Sequence, residues 1–151
     1  MFPKFRDCAE TNNGKLYGMT AFGGNNNTGV LFEYDLNSDT YSKKIDFETS
    51  KSGMNPHNSL MIASNGKFYG MTGTGGANNI GVIFEYDPST STYTKQFDFD
   101  GTNGASPFSA LMEASNGKFY GVTLLGGANS KGVLFEYDPS TSTYTKQFDF
   151  D

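Results

Sequence analysis

The chain has 151 residues, 36% of them hydrophobic and 15% aromatic, which supplies a core for one ordinary domain and excludes a disordered chain. Its formal net charge is -5 and it has no run of Lys or Arg, so we expect no nucleic-acid partner. No stretch approaches the roughly eighteen apolar residues of a membrane span, so we expect no membrane partner.

Three copies of one unit follow one another along the chain. The tripeptide Asn-Gly-Lys recurs at Asn13, Asn65 and Asn116, at spacings of 52 and 51 residues. Residues 65–100 and 116–151 differ at only six of thirty-six positions. A period near fifty residues is typical of propeller blades and solenoid units. We predict a single unit of three blades, with the blades at residues 1–52, 53–103 and 104–151.

Each copy contains four strand-sized runs, here called strands A to D. In the second copy they read HNSLMIAS, KFYGMTG, GVIFEYD and TYTKQFDF. Asn65-Gly66 predicts a hairpin turn because both central residues of a type I′ turn need positive φ. Strands B and C are apolar on both faces, as in a blade covered on both sides. The predicted fold class is all-β, a β-propeller of four-stranded antiparallel blades, three per chain.

The first strands of the three copies place unlike residues in equivalent positions. His57, the single histidine, aligns with Phe5 and Phe108, which favours a packing role over a catalytic one. Cys8 aligns with two leucines, so we expect a small core residue. With one His and one Cys, neither a zinc cluster nor a Cys–His pair is expected within the chain. We predict no metal and no cofactor.

The stretch NGKFYGMTGTGG…GVIFEYDPSTSTYTK resembles the kelch motif. Gly75-Gly76 matches its glycine doublet, Tyr86-Asp87 matches its Tyr-Asp, and Tyr93 stands where kelch repeats usually carry Trp. The runs YGMT, GVIFEYD and DFDGTNGASPFSALM are more similar to a bacterial tandem repeat, the Gloeobacter/Verrucomicrobia type. This resemblance implies a secreted or surface propeller of unassigned activity, although the sequence MFPKFRDCAE lacks the apolar core of a signal peptide.

Three blades cannot close a propeller, which needs four to eight. Several hundred Å² of exposed apolar flank, at roughly 25 cal/mol per Å², costs on the order of 10 kcal/mol. That cost is comparable to the whole stability of a domain, about 5–15 kcal/mol. We therefore expect two chains to form a six-bladed homodimer, the first blade of each packing on the third of the other. The alternatives are a piece of a longer array and a solenoid-like stack.

Acidic residues that recur in every copy are interpreted as architecture. They lie close to the predicted turns, which favours capping over acid–base catalysis. These residues are Glu33, Glu85, Glu136, Asp35, Asp87 and Asp138. The run DFDGTNG departs from the spacing of an EF-hand calcium loop. We predict no catalytic residue.

The B–C and D–A loops of an A-B-C-D meander lie at one end of the ring, called here the loop face. Loops on a rigid scaffold are the usual place for binding, and amide-rich loops near aromatics suit sugar hydroxyls. The alternative is that their Asn and Gly residues serve only to make turns. The binding candidates on the loop face are Phe22, Asn25, Asn26, Asn78, Asn79, Leu124, Leu125, Asn129 and Lys131. Arg6, Asp7 and His57 are the candidates near the channel.

The favoured function is a non-catalytic recognition or scaffold module that assembles with itself and contacts carbohydrate or protein through the loop face. The second hypothesis is a carbohydrate-active hydrolase or lyase with its site near the channel. An enzyme would break the repeat with a unique acid, and among Asp7, Glu10, Glu48 and Glu113 only Asp7 is unique by alignment. A structural, engineered or fragmentary propeller without ligand is the third hypothesis.

Overall fold

The computed structural model describes residues 8–151, which form twelve strands in three sheets. The first sheet contains β1 (Cys8–Glu10), β2 (Lys15–Thr20), β3 (Val30–Asp35) and β4 (Thr40–Asp46). The second contains β5 (Met61–Ile62), β6 (Phe68–Thr72), β7 (Val82–Asp87) and β8 (Thr92–Asp98). The third contains β9 (Met112–Glu113), β10 (Phe119–Val122), β11 (Val133–Asp138) and β12 (Thr143–Asp149).

Within each sheet the strands lie in chain order and every neighbouring pair is antiparallel. The predicted all-β class and the three four-stranded meanders are therefore confirmed. The predicted blade limits at residues 52 and 103 remain predictions. The part of the chain that the structure describes contains no helix that could cross a membrane.

The predicted A–B hairpins form, but the predicted type I′ geometry is wrong. Only the glycine of each Asn-Gly pair has a positive φ, 79° at Gly66, and the Gly66 N–H donates to the Ala63 carbonyl at 2.9 Å, so Ser64 and Asn65 are the central residues of the turn. The turn after β7 is closed by Asp87, whose carboxylate accepts hydrogen bonds from the Ser89 backbone N–H at 2.9 Å and its hydroxyl at 2.5 Å. Both turns lie at the end of the sheet opposite the loop face.

The predicted length of strand A is wrong. HNSLMIAS was expected to be extended throughout, but only β5, two residues long, pairs within the sheet. The residues before it are held by loops instead. Met54 forms a bridge with Thr74, and the Asn55 N–H donates to the Thr28 carbonyl at 2.9 Å while its side chain donates to that of Ala21 at 2.9 Å. The D–A connection therefore serves to join one sheet to the next.

The core consists of two clusters, each lying between successive sheets. In the first joint, the ring of Tyr17 packs edge-on against Phe68 of the second sheet, with centroids 4.7 Å apart. In the second joint, Tyr69 packs in the same way on Phe119 at 4.6 Å. The middle sheet is covered on both sides, and all five residues of β6 are buried. This burial explains why strands B and C are apolar on both faces.

Replacing Gly81 by alanine is expected to destabilise the chain by about 2–3 kcal/mol. Gly81 has a φ of 109°, and an added Cβ would press on the Thr72 carbonyl oxygen and lie 2.8 Å from Pro107 Cδ. The matched control is Gly66→Ala, where φ is 79° but no atom of the described residues lies within 4 Å of the added Cβ, so the cost is about 1 kcal/mol. Urea unfolding measures both. Equal losses in the two variants would contradict the assigned close approach.

Candidate functional site

The first sheet has one face that no other part of the described chain covers. At the internal joints the equivalent positions are filled by side chains packed on the preceding sheet, such as Phe84 and Tyr93. On the first sheet, Phe32 is half-buried and Tyr41 is 59% exposed. We call this surface the leading face. Its members are Cys8, Leu16, Phe32, Tyr34 and Tyr41.

The third sheet also has a face, on its opposite side, that no other part of residues 8–151 covers. The equivalent positions of the middle sheet include Met71, Ile83 and Phe99, all fully buried against the third sheet. Two of their counterparts on the third sheet, Val122 and Phe150, are 38% and 37% exposed. Phe148, the counterpart of the partly buried Phe97, is 54% exposed. We call this surface the trailing face. Its members are Met112, Tyr120, Val122, Leu134, Phe148 and Phe150.

The rings of both open faces already hold the geometry that the covered faces have. On the leading face Phe32 and Tyr41 stack at 5.8 Å, as Phe135 and Tyr144 do at 5.0 Å inside the second joint. On the trailing face Phe148 and Phe150 meet edge-on at 5.5 Å. The Phe97 and Phe99 pair, which packs on Phe135 and Tyr144, meets edge-on at 5.3 Å. Each open face thus has the ring arrangement that the equivalent covered face has at an internal joint.

The prediction that Cys8 is a core residue is wrong. Cys8 is exposed, whereas the aligned Leu60 and Leu111 are buried at 6% and 5% exposure. Leu60 packs in the cluster against the first sheet, and Leu111 packs in the cluster against the second. No sheet of the described chain precedes the first one. The position is therefore a joint position, and its burial depends on a neighbouring blade.

The recurring glutamates are not turn caps, which corrects the expectation for Glu33, Glu85 and Glu136. Each accepts hydrogen bonds from a Lys and a Tyr on the neighbouring strand B. In the second sheet Glu85 accepts from Lys67 Nζ at 2.7 Å and from the Tyr69 hydroxyl at 2.7 Å. Hydrogen bonds from Lys118 and Tyr120 lower the pKa of Glu136. These carboxylates have filled partners, which suits a structural role.

The recurring aspartates do cap turns, as predicted. Asp138 accepts from the Ser140 N–H at 2.9 Å and its hydroxyl at 2.6 Å, which lowers the pKa of that carboxyl. In the run DFDGTNG, Asp100 accepts from the backbone and side chain of Asn103 at 2.7 and 2.9 Å. Among residues 8–151 no three His, Cys, Asp or Glu side chains lie together as a metal site would require.

The structure places the loop-face candidates in two classes. The side-chain amides of Asn78 and Asn129 donate to the carbonyls of Phe99 and Phe150, at 2.8 and 3.1 Å, so they serve to hold turns. Asn79 has a φ of 58°, which also suits a turn residue. The other candidates are exposed, with the Asn25 N–H donating to Asp46 at 2.9 Å. These exposed residues are Phe22, Asn25, Asn26, Leu124, Leu125 and Lys131.

The channel candidates are only partly described. Arg6 and Asp7 lie outside the described residues. The exposed His57 ring stacks on Phe108, which is 49% exposed, at 5.4 Å with an interplanar angle of 18°. The predicted packing role of His57 stays a prediction. Of the other acidic residues weighed for catalysis, Glu113 accepts from Ser64 and Glu48 pairs with Lys51 at 2.8 Å.

Alkali is expected to unfold the chain through its buried tyrosines. Burial raises the pKa of Tyr144 above its ordinary value of 10.0, as do the charges of Asp100 and Asp149. Since the unfolded phenol ionises near pH 10 and the folded one stays protonated, this contribution is complete below pH 10 and is lost as the pH rises further. Melting temperatures should therefore fall above about pH 10, less steeply in Tyr144→Phe. Identical slopes for the two proteins would contradict this role of Tyr144.

Comparison with known proteins gives a family and a fold. The model of the Gloeobacter/Verrucomicrobia repeat matches residues 3–151. No curated protein matches the chain. The likeness to kelch repeats remains a prediction.

Solved structures of low identity share the fold. TolB from Acinetobacter baumannii matches with a TM-score of 0.62 and 16% identity, over 96% of this chain and 32% of that one. The extracellular domain of BT4673 from B. thetaiotaomicron gives 0.67 and 17%, over 93% and 16%. A puromycin-hydrolyzing peptidase from Mycobacterium tuberculosis gives 0.59 and 12%, over 88% and 19%. This chain spans a third or less of each of these structures, whose matching parts are propeller-type.

Proposed function

The chain belongs to the Gloeobacter/Verrucomicrobia repeat family, and we propose that it is a non-catalytic propeller module that assembles with a second copy of itself. The leading face of each copy packs on the trailing face of the other. Two such contacts, related by a two-fold axis, close a ring of six blades. Six is the only multiple of three within the usual range of four to eight blades.

One observation carries this proposal. The two open faces repeat, position for position, the two faces that pack against each other inside the chain. Superposing the leading face on the third sheet's covered face brings Tyr41 to the place of Tyr144, which stacks on Phe97 at 4.0 Å with parallel rings. On the trailing face, Phe148 occupies the position that Phe97 has in the middle blade. A second copy therefore offers each open face the partner that its equivalent already has.

Hydroxyl-radical footprinting tests this assembly directly. In a single chain Tyr41 and Phe148 are more than half exposed and would be labelled quickly. We expect both to be protected at concentrations where copies pair and to become labelled on dilution. The matched control is Phe22, which is 64% exposed on the loop face and should be labelled equally at both concentrations. Labelling of Tyr41 as rapid as that of Phe22 throughout would contradict the proposal.

The loop face is the proposed ligand surface of this module, and carbohydrate is the proposed ligand class. Its support is the set of exposed apolar tips beside amides on a rigid scaffold, with Phe22, Leu124 and Leu125 each at least 49% exposed. A glycan array followed by titration calorimetry tests it. We expect Phe22→Ala to lower the affinity for any glycan that binds by about tenfold, because stacked apolar contact contributes about 1 kcal/mol or more. Unchanged affinity in that variant would remove the loop face from the proposal.

A further inference from the structure

A two-part hydrogen bond bridges the second and third blades at the end opposite the loop face. The backbone N–H and the hydroxyl of Ser64 donate to the two carboxylate oxygens of Glu113, at 2.8 and 2.5 Å. Ser64 lies in the A–B turn of one blade, and Glu113 ends β9 of the next. Both donors reach a charged acceptor, so the contact is of the stronger kind.

The joint between the first and second blades does not contain this contact. Asn12 occupies the position of Ser64, and Ile62, which is 39% exposed, occupies the position of Glu113. An isoleucine side chain cannot accept a hydrogen bond. The contact is therefore a property of particular blade pairs and not of the repeat as a whole.

The two open faces carry the residues equivalent to this pair. Glu10, beside the leading face, is equivalent to Glu113, and Ser115, beside the trailing face, is equivalent to Ser64. Glu10 pairs with Leu16 as Glu113 pairs with Phe119, so the two carboxylates have the same place in their sheets. Within residues 8–151 the Glu10 side chain is exposed and forms no hydrogen bond or ion pair. Ser115 occupies the turn position of Ser64.

The turn that carries Ser115 has the geometry of the turn that carries Ser64. In each, the alanine before the serine donates its N–H to a lysine carbonyl and accepts from a glycine N–H, and all four distances are 2.9 Å. The donors of Ser115 are therefore presented to the next blade as those of Ser64 are.

A second pair follows the same pattern. The Tyr137 hydroxyl donates to Gln96 Oε1 across the second joint at 2.7 Å. At the first joint Lys44 takes the place of Gln96, and the equivalent hydroxyl of Tyr86 is buried with no hydrogen-bond partner among residues 8–151. On the leading side Tyr34 is equivalent to Tyr137, and its hydroxyl donates to Asp39 of its own turn. On the trailing side Gln147 is equivalent to Gln96. The open faces therefore have the polar residues of the second joint rather than those of the first.

Resting on the proposed function, we propose that Glu10 of one copy accepts hydrogen bonds from the backbone N–H and hydroxyl of Ser115 of the partner subunit. The pair forms only where a leading face meets a trailing face. It therefore selects that arrangement over contacts between two leading or two trailing faces, and a two-fold dimer contains it twice.

A double-mutant cycle on the full chain tests this pair. Sedimentation velocity over a dilution series gives the dissociation constant of each variant. Glu10→Ala removes the acceptor at both contacts and should raise the dissociation constant about a hundredfold, roughly tenfold per contact. The Ser115→Ala variant keeps the backbone N–H donor and loses only the hydroxyl, so its dissociation constant should rise about tenfold in total. The double variant should be no weaker than Glu10→Ala alone, because the hydroxyl then has no acceptor to lose.

The matched control is Ser64→Ala, which removes the equivalent hydroxyl inside the chain and should lower the melting temperature without changing the dissociation constant. A double variant whose effect is the product of the two single effects would overturn the pairing, as would Glu10→Ala with unchanged affinity. Either result would leave the dimer itself intact. An unaltered chain that stays single at every concentration would instead overturn the proposed function, and the pairing with it.

Discussion

Replacing Phe148 by aspartate is expected to separate the assembled copies into single chains while leaving each chain folded. Phe148 is 54% exposed in one copy, so the carboxylate can stay in water there. In the proposed dimer it would be buried against Tyr41 of the partner subunit without a counter-charge, at a cost of several kcal/mol per contact. Since the dimer has two contacts, we expect the dissociation constant to rise at least about a thousandfold.

The matched control for Phe148→Asp is Phe97→Asp, the same change at the equivalent position of the middle blade. Phe97 stacks on Tyr144 within the chain, so this variant should lose its fold rather than its partner. Circular dichroism and sedimentation velocity separate the two outcomes. A Phe148→Asp chain that still forms dimers would show that the trailing face is not the contact.

Phe99→Ala is expected to destabilise the folded chain strongly. Phe99 is fully buried and packs edge-on against Phe135 at 5.6 Å. Its truncation leaves a cavity between two blades, which costs about 3–5 kcal/mol. For a chain of this size the melting temperature should fall by roughly 2–4 °C per kcal/mol.

Phe150→Ala makes the same truncation at the equivalent position of the trailing face, where the ring is 37% exposed. Measured in the Phe148→Asp background, which keeps the copies apart, it should cost only about 1 kcal/mol of folding stability. In the otherwise unaltered chain it should instead weaken association. Equal losses of folding stability for Phe99→Ala and Phe150→Ala would contradict the assignment of one to a joint and the other to an open face.

Much of the fold could be predicted from the sequence because the same turn residues and strand patterns occur in all three copies. The Asn-Gly turns and the turn closed by Asp87 depend on local backbone preferences, which act over a few residues. Strands B and C are apolar on both faces, which indicates a sheet covered on both sides even when the covering elements are unknown. Repetition of these local signals was therefore enough to predict three four-stranded meanders.

The remaining features depend on neighbours that local patterns do not specify. Cys8 aligned with buried leucines, but its burial is decided by a blade on its other side. The short β5 reflects loop contacts of Met54 and Asn55 with other segments. The sequence analysis did not predict the cluster of Lys67, Tyr69 and Glu85. A lysine and a glutamate recur in every copy on adjacent strands, and this pattern could have indicated it.

The proposed pairing of Glu10 with Ser115 of the partner subunit could not be predicted from the sequence. A contact between blades can be seen only when both sheets and their register are known. In the sequence, Glu10 and Glu113 share an aligned position and nothing marks either one as a joint residue. The Ser64 contact with Glu113 supplies the geometry that the alignment lacks.

Light scattering after size exclusion measures the central claim most directly, because it gives the mass of the particle independent of its shape. The chain has a mass of 16.4 kDa. Two copies joined leading face to trailing face predict a single species of twice that mass, and the Phe148→Asp variant should return to the mass of one chain. A well-folded, unaltered chain that elutes with the mass of one copy at every concentration would contradict the account.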